Sequence, residues 1–77
     1  MGDTIYPWRL EYLIDPTVCE EKGIGLMWRD SRVNKTAGFE TLRLLIVMSI
    51  SERNEIPWLG TMRWRAVNQE TGQMVML

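Results

Sequence analysis

Residues 61–67 alternate without a break. Met62, Trp64 and Ala66 fall on one side, and Thr61, Arg63, Arg65 and Val67 on the other. A period of two belongs to a β-strand, whose successive side chains point to opposite faces. One face must then meet a core, while the other meets water or a partner. The segment 68–72, Asn-Gln-Glu-Thr-Gly, has the composition of a turn, and Gly72 can take the left-handed conformation there. Residues 73–77 return as a second strand. In this reading Met74 and Met76 meet Met62, Trp64 and Ala66 across the pair. The C-terminal strand then forms a sheet edge.

A second alternation occupies residues 8–15, where Trp8, Leu10, Tyr12 and Ile14 interleave with Arg9, Glu11, Leu13 and Asp15. Asp15-Pro16 ends that strand, because proline lacks the ladder donor and holds the preceding residue extended. Residues 16–23 read as a polar connection that carries Cys19. A partner strand is expected from Ile24 to Asp30, followed by another polar connection over residues 31–38.

Residues 39–53 read as a helix. Phe39, Leu42, Ile46 and Ile50 share one face, flanked by Leu45, Met48 and Ser49. Glu40, Arg43, Val47 and Ser51 lie opposite. The length exceeds a usual strand, Leu, Met, Glu and Arg favour helices, and Pro57 supplies a stop. The expected fold is therefore α+β with element order ββαββ. A mostly antiparallel four-stranded sheet would carry one helix on one face. Were residues 39–53 a strand instead, the chain would form an all-β, five-stranded small barrel.

All 77 residues fit one domain, 1–77. A domain this small needs a dense core or a partner. With 45% hydrophobic residues, four Trp and six Met, a dense core is within reach. Ten acidic residues offset nine basic ones, for a net charge of −1. A dedicated nucleic-acid binder usually carries a clear basic excess, so that class is disfavoured. The single Cys19 has no disulfide partner within the chain. The first residues lack the basic and apolar blocks of a signal peptide. The longest apolar run, Leu44 to Met48, is far too short to span a bilayer. These features point to a soluble cytoplasmic protein without membrane contact.

Catalytic equipment is sparse. The absence of His removes the commonest general base and zinc ligand, together with every Ser-His or Cys-His pair. Gly23-Ile-Gly25 lacks the remainder of a phosphate loop. No spacing singles out two of the carboxylates. Glu20 and Glu21 beside Cys19 disfavour a reactive thiolate. No catalytic residue, metal or cofactor is expected, and the chain is expected not to be an enzyme.

Binding is what the remaining residues can offer. Trp and Arg dominate contact hot spots. Trp64 belongs to the core face. Trp8 and Trp58 each follow a proline at an element end and are the candidate contact tryptophans. Arg63 and Arg65 project from the face opposite Trp64, and Arg29 and Arg32 could extend that stripe if their strand neighbours it. The candidate partner-binding set is thus Trp8, Arg29, Arg32, Trp58, Arg63 and Arg65. A solvated face laced with weak Arg–Glu pairs is the plain alternative for the stripe.

The overall build is similar to that of small virus- and plasmid-encoded proteins that bind and block a host enzyme or defence complex. It is anti-CRISPR-like in size and architecture alone. On that analogy the chain is an inhibitor or accessory factor that binds a protein partner and serves host-defence evasion. The alternative is a small nucleic-acid binder in which Arg29, Arg32, Lys35, Arg63 and Arg65 meet phosphates while Trp28 or Trp58 stacks on a base. Homodimerisation through the C-terminal edge strand is a further expectation.

Overall fold

The computed structural model describes residues 7–33, 41–55 and 62–77. It shows a small α+β domain with one open, four-stranded antiparallel sheet and one main helix. The elements in chain order are β1 (Trp8–Leu13), α1 (Pro16–Lys22), β2 (Arg29–Asp30), α2 (Leu42–Glu55), β3 (Arg63–Asn68) and β4 (Met74–Met76). The strand order is β2-β1-β3-β4, and every neighbouring pair is antiparallel. The barrel alternative fails because 42–55 is helical and the sheet ends at β2 and β4.

The residues expected to connect β1 to its neighbour, 16–23, instead form helix α1. Asp15 caps its N-terminus, its Oδ1 accepting from Thr17 N–H at 2.9 Å, and Pro16 occupies the first helical turn. Both features suit a helix start, since that proline removes no intrahelical bond. Gly23 closes the helix at φ 67°, the left-handed conformation that favours glycine. Cys19 is therefore buried on a helix rather than carried on a loop.

The partner strand of β1 is shorter than the expected Ile24–Asp30. Tyr12 pairs with Arg29, and Glu11 with Asp30. Continuing that register would set Leu26 against Asp15, where β1 has already given way to the cap of α1. Residues 24–27 thus have no strand to join, and Leu26 and Met27 are exposed.

Trp64, Leu10 and Leu45 are the largest apolar side chains wholly buried. Leu10 and Tyr12 stand opposite Ala66 and Trp64 in the β1–β3 register, so they share one face of the sheet. The Tyr12 and Trp64 rings lie 5.5 Å apart with a 42° tilt, a favourable aromatic arrangement. Helix α2 packs on this face.

The seam of α2 differs from the expected one. Leu45 and Ser49 are buried and Leu42 is half-buried, whereas Ile46 and Ile50 are exposed. The small Ser49 lets the helix approach closely, and its hydroxyl donates to the Ile46 carbonyl at 2.9 Å, so burying it leaves no unpaired donor. Ile46 and Ile50 are bulkier but fall one step round the helix. Phe39 and Pro57 lie outside the described residues.

The β3–β4 turn forms as expected. Asn68 Oδ1 accepts from Glu70 and Thr71 N–H groups at 2.9 and 3.1 Å, and Gly72 has φ 78°. The register beyond it corrects the expected packing of the methionines. Met74 pairs with Val67, Val75 with Ala66 and Met76 with Arg65. Relative to the expected pairing this is a shift of one residue, which moves every β4 side chain to the other face. Val75 and Leu77 side with the core, while Met74 and Met76 project from the face opposite α2.

The seam can be tested at low protein concentration by urea denaturation. Leu45→Ala is expected to cost about 2–5 kcal/mol. Ile50→Ala is expected to stay within about 0.5 kcal/mol of the parent. Reversed values would place the buried seam on the Ile46–Ile50 side.

Partial burial in α2, reinforced by the charge of Glu55, raises the Glu52 carboxyl above its usual range. The folded chain then holds this proton more tightly than the unfolded chain. Ionisation of Glu52 opposes folding above the raised value, and the penalty vanishes once both states are protonated. Glu52→Gln is expected to raise the melting temperature slightly at about pH 7 and to leave it unchanged at about pH 3.

Candidate protein-contact surface

The sheet face opposite α2 is built from the alternate positions of the same strands. β1 supplies Arg9, Glu11 and Leu13, and β3 supplies Arg63, Arg65 and Val67. β4 adds Met74 and Met76. Glu11 is the centre of this face and is only 6% exposed. An isolated carboxylate could not stay charged there without compensation. It receives two arginines: Arg65 Nε lies 2.7 Å from Oε1 and Arg9 Nη2 lies 2.8 Å from Oε2.

The local sequence explains the convergence. Arg9 and Glu11 are two residues apart on one strand and therefore point the same way. Arg65 is the direct cross-strand neighbour of Glu11. Trp28 then lies against Arg65, whose guanidinium carbon is 4.3 Å from the indole centroid. That is well inside cation–π range. The result is a connected row, Arg9–Glu11–Arg65–Trp28, on the side of the sheet away from the helix. In the sequence no spacing singles Glu11 out from the other carboxylates. The Arg-x-Glu spacing on β1 facing an arginine on β3 was the available signal, though alternation alone does not report burial.

The structure separates the six candidate contact residues. Arg63 is exposed on the open face, and Arg65 is on the same face but engaged by Glu11 and Trp28. Arg29 does not extend their stripe. Its Cα partner is Tyr12, on the helix side, and β2 neighbours β1 rather than β3. Its Nη2 donates to the Gly25 carbonyl at 3.2 Å. Arg32 is exposed just beyond β2 at φ 63°, with its backbone N–H bonded to Asp30 Oδ1 at 2.7 Å. Trp8 begins β1, half-buried against the core. Trp58 lies outside the described residues.

Two apolar exposures border this geometry. Met74 and Met76 are 60% and 59% exposed along one side of the open face. Ile46, Val47 and Ile50 are exposed on α2, on the far side of the sheet. Among the described residues there is no pocket and no group of His, Cys, Asp and Glu arranged to hold a metal. No helix among them is long and apolar enough to cross a membrane. Comparisons of the chain with protein-family models, with curated proteins and with solved structures gave no match.

Removing Arg65 leaves a buried carboxylate served by Arg9 alone. Removing Glu11 leaves two arginines that can still reach water. Arg65→Ala is therefore expected to cost about 1–3 kcal/mol and Glu11→Ala less. In a double-mutant cycle the pair should show a coupling of about 0.5–3 kcal/mol. Simple additivity would mean that the row is held by something else.

Proposed function

We propose that this chain is a non-enzymatic protein-binding module, a small inhibitor or accessory factor that acts by covering a surface of its partner. The observation that carries the reading is the fixed row Arg9–Glu11–Arg65–Trp28 on a sheet face that no described element covers. Arginine and tryptophan supply most binding energy where they are already held in place. Here Glu11 offsets one of the two arginine charges within the row, so a partner need not supply a counter-ion for each of them. Arg63 stands free beside the row as a cation for an acidic group. The flanking methionines are adaptable apolar contacts.

The same arrangement favours a protein over a nucleic acid as the partner. Phosphate binding draws on several uncommitted cations along one face. Arg9 and Arg65 are committed to Glu11, and Arg29 faces the other way. Trp28, the candidate for base stacking, already stacks on Arg65. The reading places the protein in the cytoplasm, where a lone buried thiol such as Cys19 stays reduced.

The test is capture of a partner by the tagged protein from nuclease-treated lysate of its natural host, followed by titration with the purified partner. Arg63→Glu and Trp28→Ala are each expected to weaken binding by about 30-fold or more, in the manner of hot-spot residues. Val47→Asp, on the exposed side of α2, should bind as the parent does. Loss of binding in Val47→Asp alone would move the contact to the helix. Capture that disappears with nuclease and falls steeply with salt would replace the protein partner with a nucleic acid.

A further inference from the structure

Among the described residues, the outer edge of β4 faces no other strand. Asn68 N–H donates to the Gln73 carbonyl at 2.7 Å, and Leu77 N–H donates to the Trp64 carbonyl at 2.9 Å. Residues 73, 75 and 77 therefore direct their backbone groups inward to β3. By alternation the N–H and C=O groups of Met74 and Met76 point outward, and no described strand receives them. Buried or not, such a row is a template for another strand.

The two sheet edges differ. β2 is two residues long and both are charged, Arg29 and Asp30. Short, charged edges resist pairing. β4, at three residues, is also short, but it lacks the charges: the run Gln73-Met-Val-Met-Leu77 contains no charged side chain and no proline. Met74 and Met76 border the edge on the open face. On the helix side, Ile46 and Ile50 fall at i and i+4 to one another and at helical spacing from Arg53. Arg53 Nη2 reaches the Leu77 carbonyl at 3.3 Å. These two isoleucines therefore share the flank of α2 that leans toward β4.

We infer that β4 pairs antiparallel with β4 of a second copy, about a two-fold axis through Val75. Met74 of each copy then exchanges both backbone hydrogen bonds with Met76 of the other. The two four-stranded sheets become one of eight strands. Because the axis is normal to the sheet, both α2 helices stay on one side and the four methionines cluster on the other. No charged side chain meets its own copy across the axis. The strand edges, four methionines and flanking apolar groups amount to roughly 1,000 Å² in total, at the lower limit for a specific interface. The association is therefore weak, with a Kd of about 10–100 μM. It uses the backbone of β4 and leaves Arg63 and Trp28 aside; Met74 and Met76 are the side chains it shares with the face around Glu11.

The experiment combines sedimentation equilibrium with amide hydrogen exchange on the full chain, from about 5 μM to about 1 mM. A monomer–dimer equilibrium is expected. The Met74 and Met76 amides should exchange about tenfold more slowly at the high concentration, while those of Val75 and Leu77, already bonded to β3, change little. Met76→Lys places like charges near the axis and should abolish both effects, and Met74→Pro, which removes only an outward donor, should do the same. A chain monomeric throughout would overturn the inference. So would a dimer that leaves the Met74 and Met76 amides unprotected, or one that survives both substitutions.

Discussion

The enclosure of Trp64 organises this small domain. Its indole is 1% exposed, with the Tyr12 ring beside it on β1 and the Arg53 guanidinium 6.0 Å from its ring centroid. One side chain thus ties β3 to its neighbour strand and to the helix above. Arg53 continues the connection to β4 through the Leu77 carbonyl. Its burial lowers the affinity of its guanidinium for a proton, yet arginine stays charged across the ordinary pH range. A domain of this length has few places to hide apolar surface. Concentrating the core around one tryptophan and the central pair β1–β3 leaves the outer strands only lightly anchored.

That economy shapes the surface. With β1 and β3 filled on the helix side by Leu10, Tyr12, Trp64 and Ala66, their alternate positions must all face away from α2. Those positions carry Arg9, Glu11, Arg63 and Arg65. Burial of Glu11 among them follows from geometry, because Arg9 on its own strand and Arg65 on β3 are long enough to fold over it and Trp28 closes the row. The open face is consequently ordered by its own side chains, with no other described element packed on it.

Much of the fold was legible in the sequence. The alternation around Trp64, the turn at Gly72, the strand after Pro7 and the helix before Pro57 rest on local signals that tertiary packing reinforced. What was not legible involved choices between near-equivalent geometries. Asp15-Pro16 both ends a strand and opens a helix, and only the later Gly23, seen as a C-cap rather than a loop glycine, distinguishes the two. The methionine faces of β4 depended on one residue of register, which alternation cannot specify. In α2, apolar residues occur on most sides, so hydrophobicity did not pick the seam. Close approach did, favouring Ser49 over Ile50. For the candidate surface, the types Arg and Trp were correct signals, but which cations are committed internally depended on strand neighbours. Arg29 could extend the stripe only if its strand lay beside β3 in the right register; β2 lies beside β1, and its register opposite Tyr12 turns Arg29 to the helix side.

The buried carboxylate of Glu11 also bears on how this face can change over generations. Reversing or neutralising Arg65 alone strands a charge in the interior, whereas replacing Glu11 first leaves two solvent-reaching cations. Substitution paths across this surface therefore have a preferred order, with position 11 released before position 65. Homologous chains that diverge here should do so as correlated sets at positions 9, 11 and 65. Arg63, which stands outside the row, can drift one step at a time and tune a partner without disturbing the scaffold beneath it.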